Sequence, residues 1–170
     1  MAYNTKKIAL IGILGALTVI SLLFAVILPT TKLSLYALSS FLISIIIIEY
    51  KTPAGWIFYI TTNLLAYIVI PDKLGVLPYT AFFGLYGIIK YYSEKVNNVI
   101  FEYFLKSLFF NICLLLVLFL AKQYFPSITD LKYPVWTVIL ILQFVFILYD
   151  YVYTMLINYY KTKLRKLLKV

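Results

Sequence analysis

The stretch Leu33–Ile70, LSLYALSSFLISIIIIEYKTPAGWIFYITTNLLAYIVI, decides the fold. It is apolar on both sides of a short polar island, Glu49-Tyr50-Lys51-Thr52-Pro53. A bilayer core takes about 20 mostly apolar residues per helix, within a range of about 17–25. The runs are continuously apolar rather than alternating, which is the pattern of a helix and not of a barrel strand. The β-branched run Ile45–Ile48 does not overturn this, because in lipid the alternative to a helix is unpaired backbone. Two membrane-crossing helices are expected, over 33–50 and 54–70. Pro53 marks the boundary through its missing N–H and its steric demand on the residue before it.

The same pattern recurs along the chain. Apolar runs cover 8–28, 33–50, 54–70, 74–92, 99–121 and 135–159. Pro29 and Pro71 stand in the connections that flank the first pair and the third and fourth runs. The connections near Lys90–Asn98 and over Lys122–Pro134 are longer and more polar. The expected fold is all-α, a polytopic membrane protein built as one six-helix transmembrane bundle over 1–160. A basic amphipathic tail over 161–170 follows. The first run has the basic start of a signal peptide. Its 21 residues exceed the usual apolar region of about 7–15, and no small-x-small cleavage site follows, so it is expected to be retained.

Composition agrees. Of 170 residues, 64% are hydrophobic and 12% are charged, against roughly 45–50% and about 25% in an ordinary soluble domain. That balance excludes a soluble enzyme fold, which needs a polar coat, and excludes disorder. Net charge is +9. Nucleic-acid binders are also basic, but here the cations flank apolar runs and read as topology signals, so no nucleic-acid partner is expected. With the N-terminus cytoplasmic, the inner side holds Lys6, Lys7, Lys51, Lys90, Lys95, Lys106, Lys161, Lys163, Arg165, Lys166 and Lys169. The outer side holds Lys32, Lys73, Lys122 and Lys132. This asymmetry predicts a multi-pass plasma-membrane protein with both termini cytoplasmic. In the tail Leu164, Leu167 and Leu168 group together among basic residues, which suits an anionic leaflet surface. The many tyrosines at run ends fit an aromatic belt.

Catalysis finds little to work with. There is no histidine, and Cys113 is the one cysteine, so the commonest general base and transition-metal ligand is absent. The six carboxylates are scattered. Asp72 and Asp130 fall in outer connections and Asp150 near the inner edge, which argues against a facing aspartyl dyad. No catalytic motif appears. The chain is not expected to be an enzyme, nor to hold a metal or a cofactor.

The few polar residues inside the runs carry the functional information. Trp136, Gln143 and Asp150 are spaced seven apart, two helical turns, and share one face. Asp150 reads either as a packing carboxylate paired with Lys106 or Lys90, or as a coupling or substrate group. Tyr59, Asn63 and Tyr67 lie at i, i+4 and i+8, placing an amide between two phenols on one face. Interhelical hydrogen bonding and ligand contact are both open there, and for Asn111. Glu102 and Lys106 form a helix pair with the acid N-terminal, the favourable order. Small residues line faces of the first two runs, as Ala9, Gly12 and Ala16 and as Ala37, Ser40 and Ser44, and Gly84 and Gly87 interrupt the fourth; such patterns let helices approach closely.

The segment 6–17, KKIALIGILGAL, adds a resemblance. Six short runs after a Lys-Lys start, with Gly12 and Ala16 at the spacing of an alanine-x-x-x-alanine motif, resemble the substrate-binding (S) component of energy-coupling factor transporters. The resemblance implies a subunit that captures a vitamin-like micronutrient from outside, docks on a transmembrane coupling protein driven by ATPases, and performs no chemistry itself. It also implies a prokaryotic source. Docking would use Ala9, Gly12, Gly15 and Ala16. The substrate pocket would draw on Lys32, Asn63, Tyr67, Asp72, Lys73, Tyr79, Trp136 and Gln143. Two other readings stand beside it: a small structural or assembly subunit, and a lipid-handling transporter with Asn63, Asn111, Gln143 and Asp150 lining a lateral groove.

Overall fold

In the computed structural model, which describes residues 2–96, 98–124 and 135–165, the apolar runs are helical and no strand occurs among the described residues. The elements are α1 (Ala2–Ile27), α2 (Lys32–Val69), α3 (Lys73–Pro78), a π-helical turn (Tyr79–Phe83), α4 (Gly84–Ser93), α5 (Val99–Tyr124), α6 (Val135–Tyr159) and a closing π-helical turn (Tyr160–Leu164). Among the described residues four helices are long and apolar enough to cross a membrane: Lys7–Ile27, Lys32–Val69, Val99–Val117 and Trp136–Leu164. The expected outer-connection residues Asp130, Lys132 and Tyr133, and the tail residues Lys166, Leu167, Leu168 and Lys169, lie outside the described residues.

The polar island in α2 is a corner. A straight helix of 38 residues would reach about 57 Å at about 1.5 Å per residue, nearly twice the ~30 Å bilayer core. Lys51 instead adopts φ 70°, ψ 172°, a region that residues other than glycine rarely enter, and Pro53 follows. The two halves fold back on each other. The Tyr36 hydroxyl near the start of α2 donates to the Gly75 carbonyl at 2.5 Å. The Lys73 ammonium donates to the carbonyls of Tyr67 and Ile70 at the end of α2. At the corner itself, Gly55 admits the side chain of Ile47, which would lie 2.5 Å from a Cβ there.

The fourth run is not one regular helix. Asp72 caps α3 by accepting from the Leu74 N–H at 3.1 Å. Pro78, which has no N–H to continue the ladder, ends α3, and the wider π turn follows. Through this turn the adjacent residues Tyr79 and Thr80 both reach α2, at Thr62 and Asn63. Gly84 leaves room for the Tyr59 ring, 2.6 Å from where its Cβ would be.

Aromatic rings fill the space between the π turn, α4, α5 and α6. Phe110 stacks on Phe146 at 4.5 Å, and Phe82 on Phe109 at 5.8 Å. Tyr86 meets Tyr149 and Tyr153. Such pairs each add about 0.5–1.5 kcal/mol beyond their buried area. Gly87 lets α6 close on α2: the Tyr153 hydroxyl donates to the Ser40 carbonyl at 2.8 Å and lies 2.7 Å from the Ser44 hydroxyl. Outward, α5 and α6 present large exposed apolar side chains such as Ile100, Leu115, Ile141 and Phe144, as lipid-facing helices do.

Contacts sort the charged residues to two ends. At the corner end, the Lys7 ammonium sits 4.8 Å over the Tyr50 ring. Arg165, just beyond α6, pairs with Glu49 at 3.0 Å, and the Tyr160 hydroxyl donates to the same carboxylate. At the opposite end, Val26 of α1 packs against Gly75, beside Tyr36 and Lys73.

Candidate functional site

Three helices place five ionisable side chains in one cluster at the corner end. Lys90 comes from α4 and Glu94 from the cap at its C-terminal end, Glu102 and Lys106 from α5, and Asp150 from α6. Within α4 and α5 the pairs are four residues apart, the spacing that makes helical side chains neighbours. The Lys90 ammonium, 1% exposed, spends all three of its N–H donors. They go to Asp150 Oδ1 at 2.5 Å, Thr154 Oγ1 at 2.8 Å and Glu94 Oε1 at 2.9 Å. Lys106, 2% exposed, reaches Glu102 at 2.6 Å, Asp150 Oδ2 at 3.3 Å and Glu94 at 3.6 Å. The Tyr86 hydroxyl donates to Asp150 Oδ1 at 2.6 Å. Desolvating an ion costs several kcal/mol, and only good geometry with further hydrogen bonds offsets it. Here both carboxylate oxygens are occupied. Asp150 pairs with Lys90 and Lys106 together, so its chemistry is spent on joining α4, α5 and α6.

A second polar centre lies between the second half of α2 and the π turn. Thr80 Oγ1 donates to Asn63 Oδ1 at 2.6 Å and stands 3.3 Å from the Tyr67 hydroxyl. The Tyr59 hydroxyl donates to the Thr80 carbonyl at 2.8 Å, and Asn63 Nδ2 donates to the Tyr59 carbonyl at 3.1 Å. Tyr79, fully buried, shares a 2.7 Å hydrogen bond with Thr62. These groups satisfy one another, as buried polar groups in an apolar surround have to.

The expected pocket residues divide accordingly. Asn63, Tyr67 and Tyr79 are brought together in this lattice, with Thr62 and Thr80 as members that sequence reasoning missed. The i, i+4, i+8 face of α2 gave one wall; the π turn that supplies Thr80 leaves no periodic trace. Lys73 and Asp72 cap helices at the same end, and Lys32 is exposed there. Gln143 is placed elsewhere, donating to Asn111 Oδ1 on α5 at 2.7 Å. Trp136 is 63% exposed on α6. Asn63 bonds Thr80, Gln143 bonds Asn111, and Asp150 bonds Lys90 and Lys106.

On α1, Ala9, Gly12 and Ala16 are exposed. A Cβ on Gly12 would meet nothing within 4 Å. Gly15 faces the other way, 3.6 Å from Phe58 and 3.9 Å from Thr62 of α2 by the same measure, and serves packing inside the chain. Cys113 is buried, its thiol donating to the Ala81 carbonyl at 3.2 Å.

No protein-family model, no curated protein and no solved structure matches the chain.

Proposed function

We propose that the chain is a membrane-embedded substrate-binding subunit of the energy-coupling-factor type, which captures a small vitamin-like molecule for an ATP-driven importer. The observation that carries this reading is the outward α1 face. Ala9, Gly12 and Ala16 present a shallow, unobstructed strip, the surface on which a second helix packs closely. In this reading the chain crosses the membrane six times. The fold-back of α2 at Lys51 and the return through α3, the π turn and α4 favour that count. The meeting of Lys7, Glu49 and Arg165 favours termini on one side, and the lysine-rich corner end is cytoplasmic by the positive-inside rule. Substrate enters at the end that carries Lys32, Asp72 and Lys73. The subunit does no chemistry; its work is binding and docking on a coupling protein.

A structural or assembly role is the second reading, favoured by the closed hydrogen bonding among Asn63, Thr80, Tyr59 and Tyr67. Gly12→Trp separates the two parts of the proposal. Its side chain enters open space, so folding and thermal stability are expected to stay as in the parent. Recovery of the coupling protein and ATPases with the tagged chain is expected to fall to background. Undiminished recovery would show that docking does not use this face.

A further inference from the structure

We propose that the cleft between the first half of α2, α4 and the end of α6 binds one water molecule as a fixed part of the fold, held by Ser44 and Glu94. Donors and acceptors decide it. The Tyr153 hydroxyl has one proton and gives it to the Ser40 carbonyl at 2.8 Å. In the 2.7 Å contact between Tyr153 and Ser44, the donor is therefore Ser44. The Ser44 oxygen, on a residue only 3% exposed, is left with lone pairs and no donor among the described residues. Glu94 repeats the pattern. Its contacts with Lys90 at 2.9 Å and Lys106 at 3.6 Å both fall on Oε1. Its Oε2 accepts from no described residue.

Ser44 and Glu94 line the same cleft. Lys90 lines it too, but its three N–H groups already go to Asp150, Thr154 and Glu94. Tyr91 and Lys161 also line it, and neither donates to Ser44 or Glu94 among the described residues. Two acceptors thus share one space without a donor, and water brings two donors. Size agrees. The cleft holds about 30 Å³, above the ~10–15 Å³ that one water needs and far below the ~300–1,000 Å³ of a metabolite pocket. The bridge has a purpose in the fold. The ion pairs and hydrogen bonds around Asp150 join α4, α5 and α6, and none of those described reaches α2. A water on Ser44 and Glu94 carries that joint to α2, as buried waters do between polar groups left without partners. This site is independent of the importer reading.

Crystal structures of the full chain, grown in lipid to a resolution that orders water, test it. The parent is expected to show one water density within hydrogen-bonding distance of both Ser44 Oγ and Glu94. Ser44→Ala removes one of the two acceptors, and the density is expected to be lost. Tyr153→Phe removes the hydroxyl that Ser44 bonds but leaves both acceptors, and the density is expected to stay. A parent cleft without density would overturn the site. So would density retained in Ser44→Ala, or density that touches Lys161 and neither acceptor. Loss in both variants would assign the effect to packing between α2 and α6 and overturn the part of Ser44. A peak that refines as a heavier ion would overturn water as the occupant.

Discussion

Asp150 stands where a membrane helix tolerates a carboxylate only with partners, and it has three: Lys90, Lys106 and Tyr86. Removing one partner of a buried pair costs about 3–5 kcal/mol, because the other charge is left uncompensated. Asp150→Asn is expected to destabilise the chain by less than that, since Glu94 stays 2.9 Å from Lys90 and Glu102 stays 2.6 Å from Lys106. Adding Lys90→Met to Asp150→Asn is expected to cost less than the sum of the two single losses, since the Lys90–Asp150 pair can be lost only once. Denaturation in detergent micelles measures both, and a double variant as unstable as the sum of the singles would contradict the coupling. At this scale the sequence was partly readable. The spacing of Glu102 and Lys106 announced their pair, now seen at 2.6 Å. The choice between Lys90 and Lys106 for Asp150 was not readable, and the answer is both. Nor was the part of Tyr86 and Thr154, because which turn of α4 faces which turn of α6 is set by packing between helices, not by periodicity within one.

Among the elements, the α2 corner shows what local chemistry specifies. Pro53 and the polar residues before it mark the break, and the chain turns at Lys51. Lysine holds a backbone conformation there that costs on the order of 1–3 kcal/mol for any residue but glycine. Lys51→Gly relieves that strain but adds freedom to the unfolded chain, worth roughly 0.4–1 kcal/mol. A net gain of about 1 kcal/mol is expected from the balance, read as a higher denaturation midpoint. A loss of stability would mean that the lysine side chain contributes more than its backbone costs. The fourth run teaches the converse. Its apolar content reads as one helix over 74–92, yet Pro78 lies inside it, and the backbone passes through a π turn before α4 begins. Hydropathy averages over such a defect, and the defect is what carries Thr80 to Asn63.

For the molecule as a whole, composition was decisive for class and silent on purpose. An apolar, charge-poor chain has to satisfy its backbone internally, so helices follow from solvent physics alone. The lysine asymmetry supplied an expected orientation. The ligand lay beyond reach, because the polar residues expected to hold one turn out to bond one another, and Gln143 and Trp136 stand apart from them. The α1 face is open at the surface, and on it rests the proposal that the chain works as the binding subunit of a larger importer. Purification of the tagged chain from its host's membranes in mild detergent, with mass spectrometry of both proteins and small molecules, tests that claim most directly. The account predicts a coupling protein, a pair of ATPases and one retained metabolite. Purification of the chain with neither ATPases nor a metabolite would contradict it and assign the molecule a structural role.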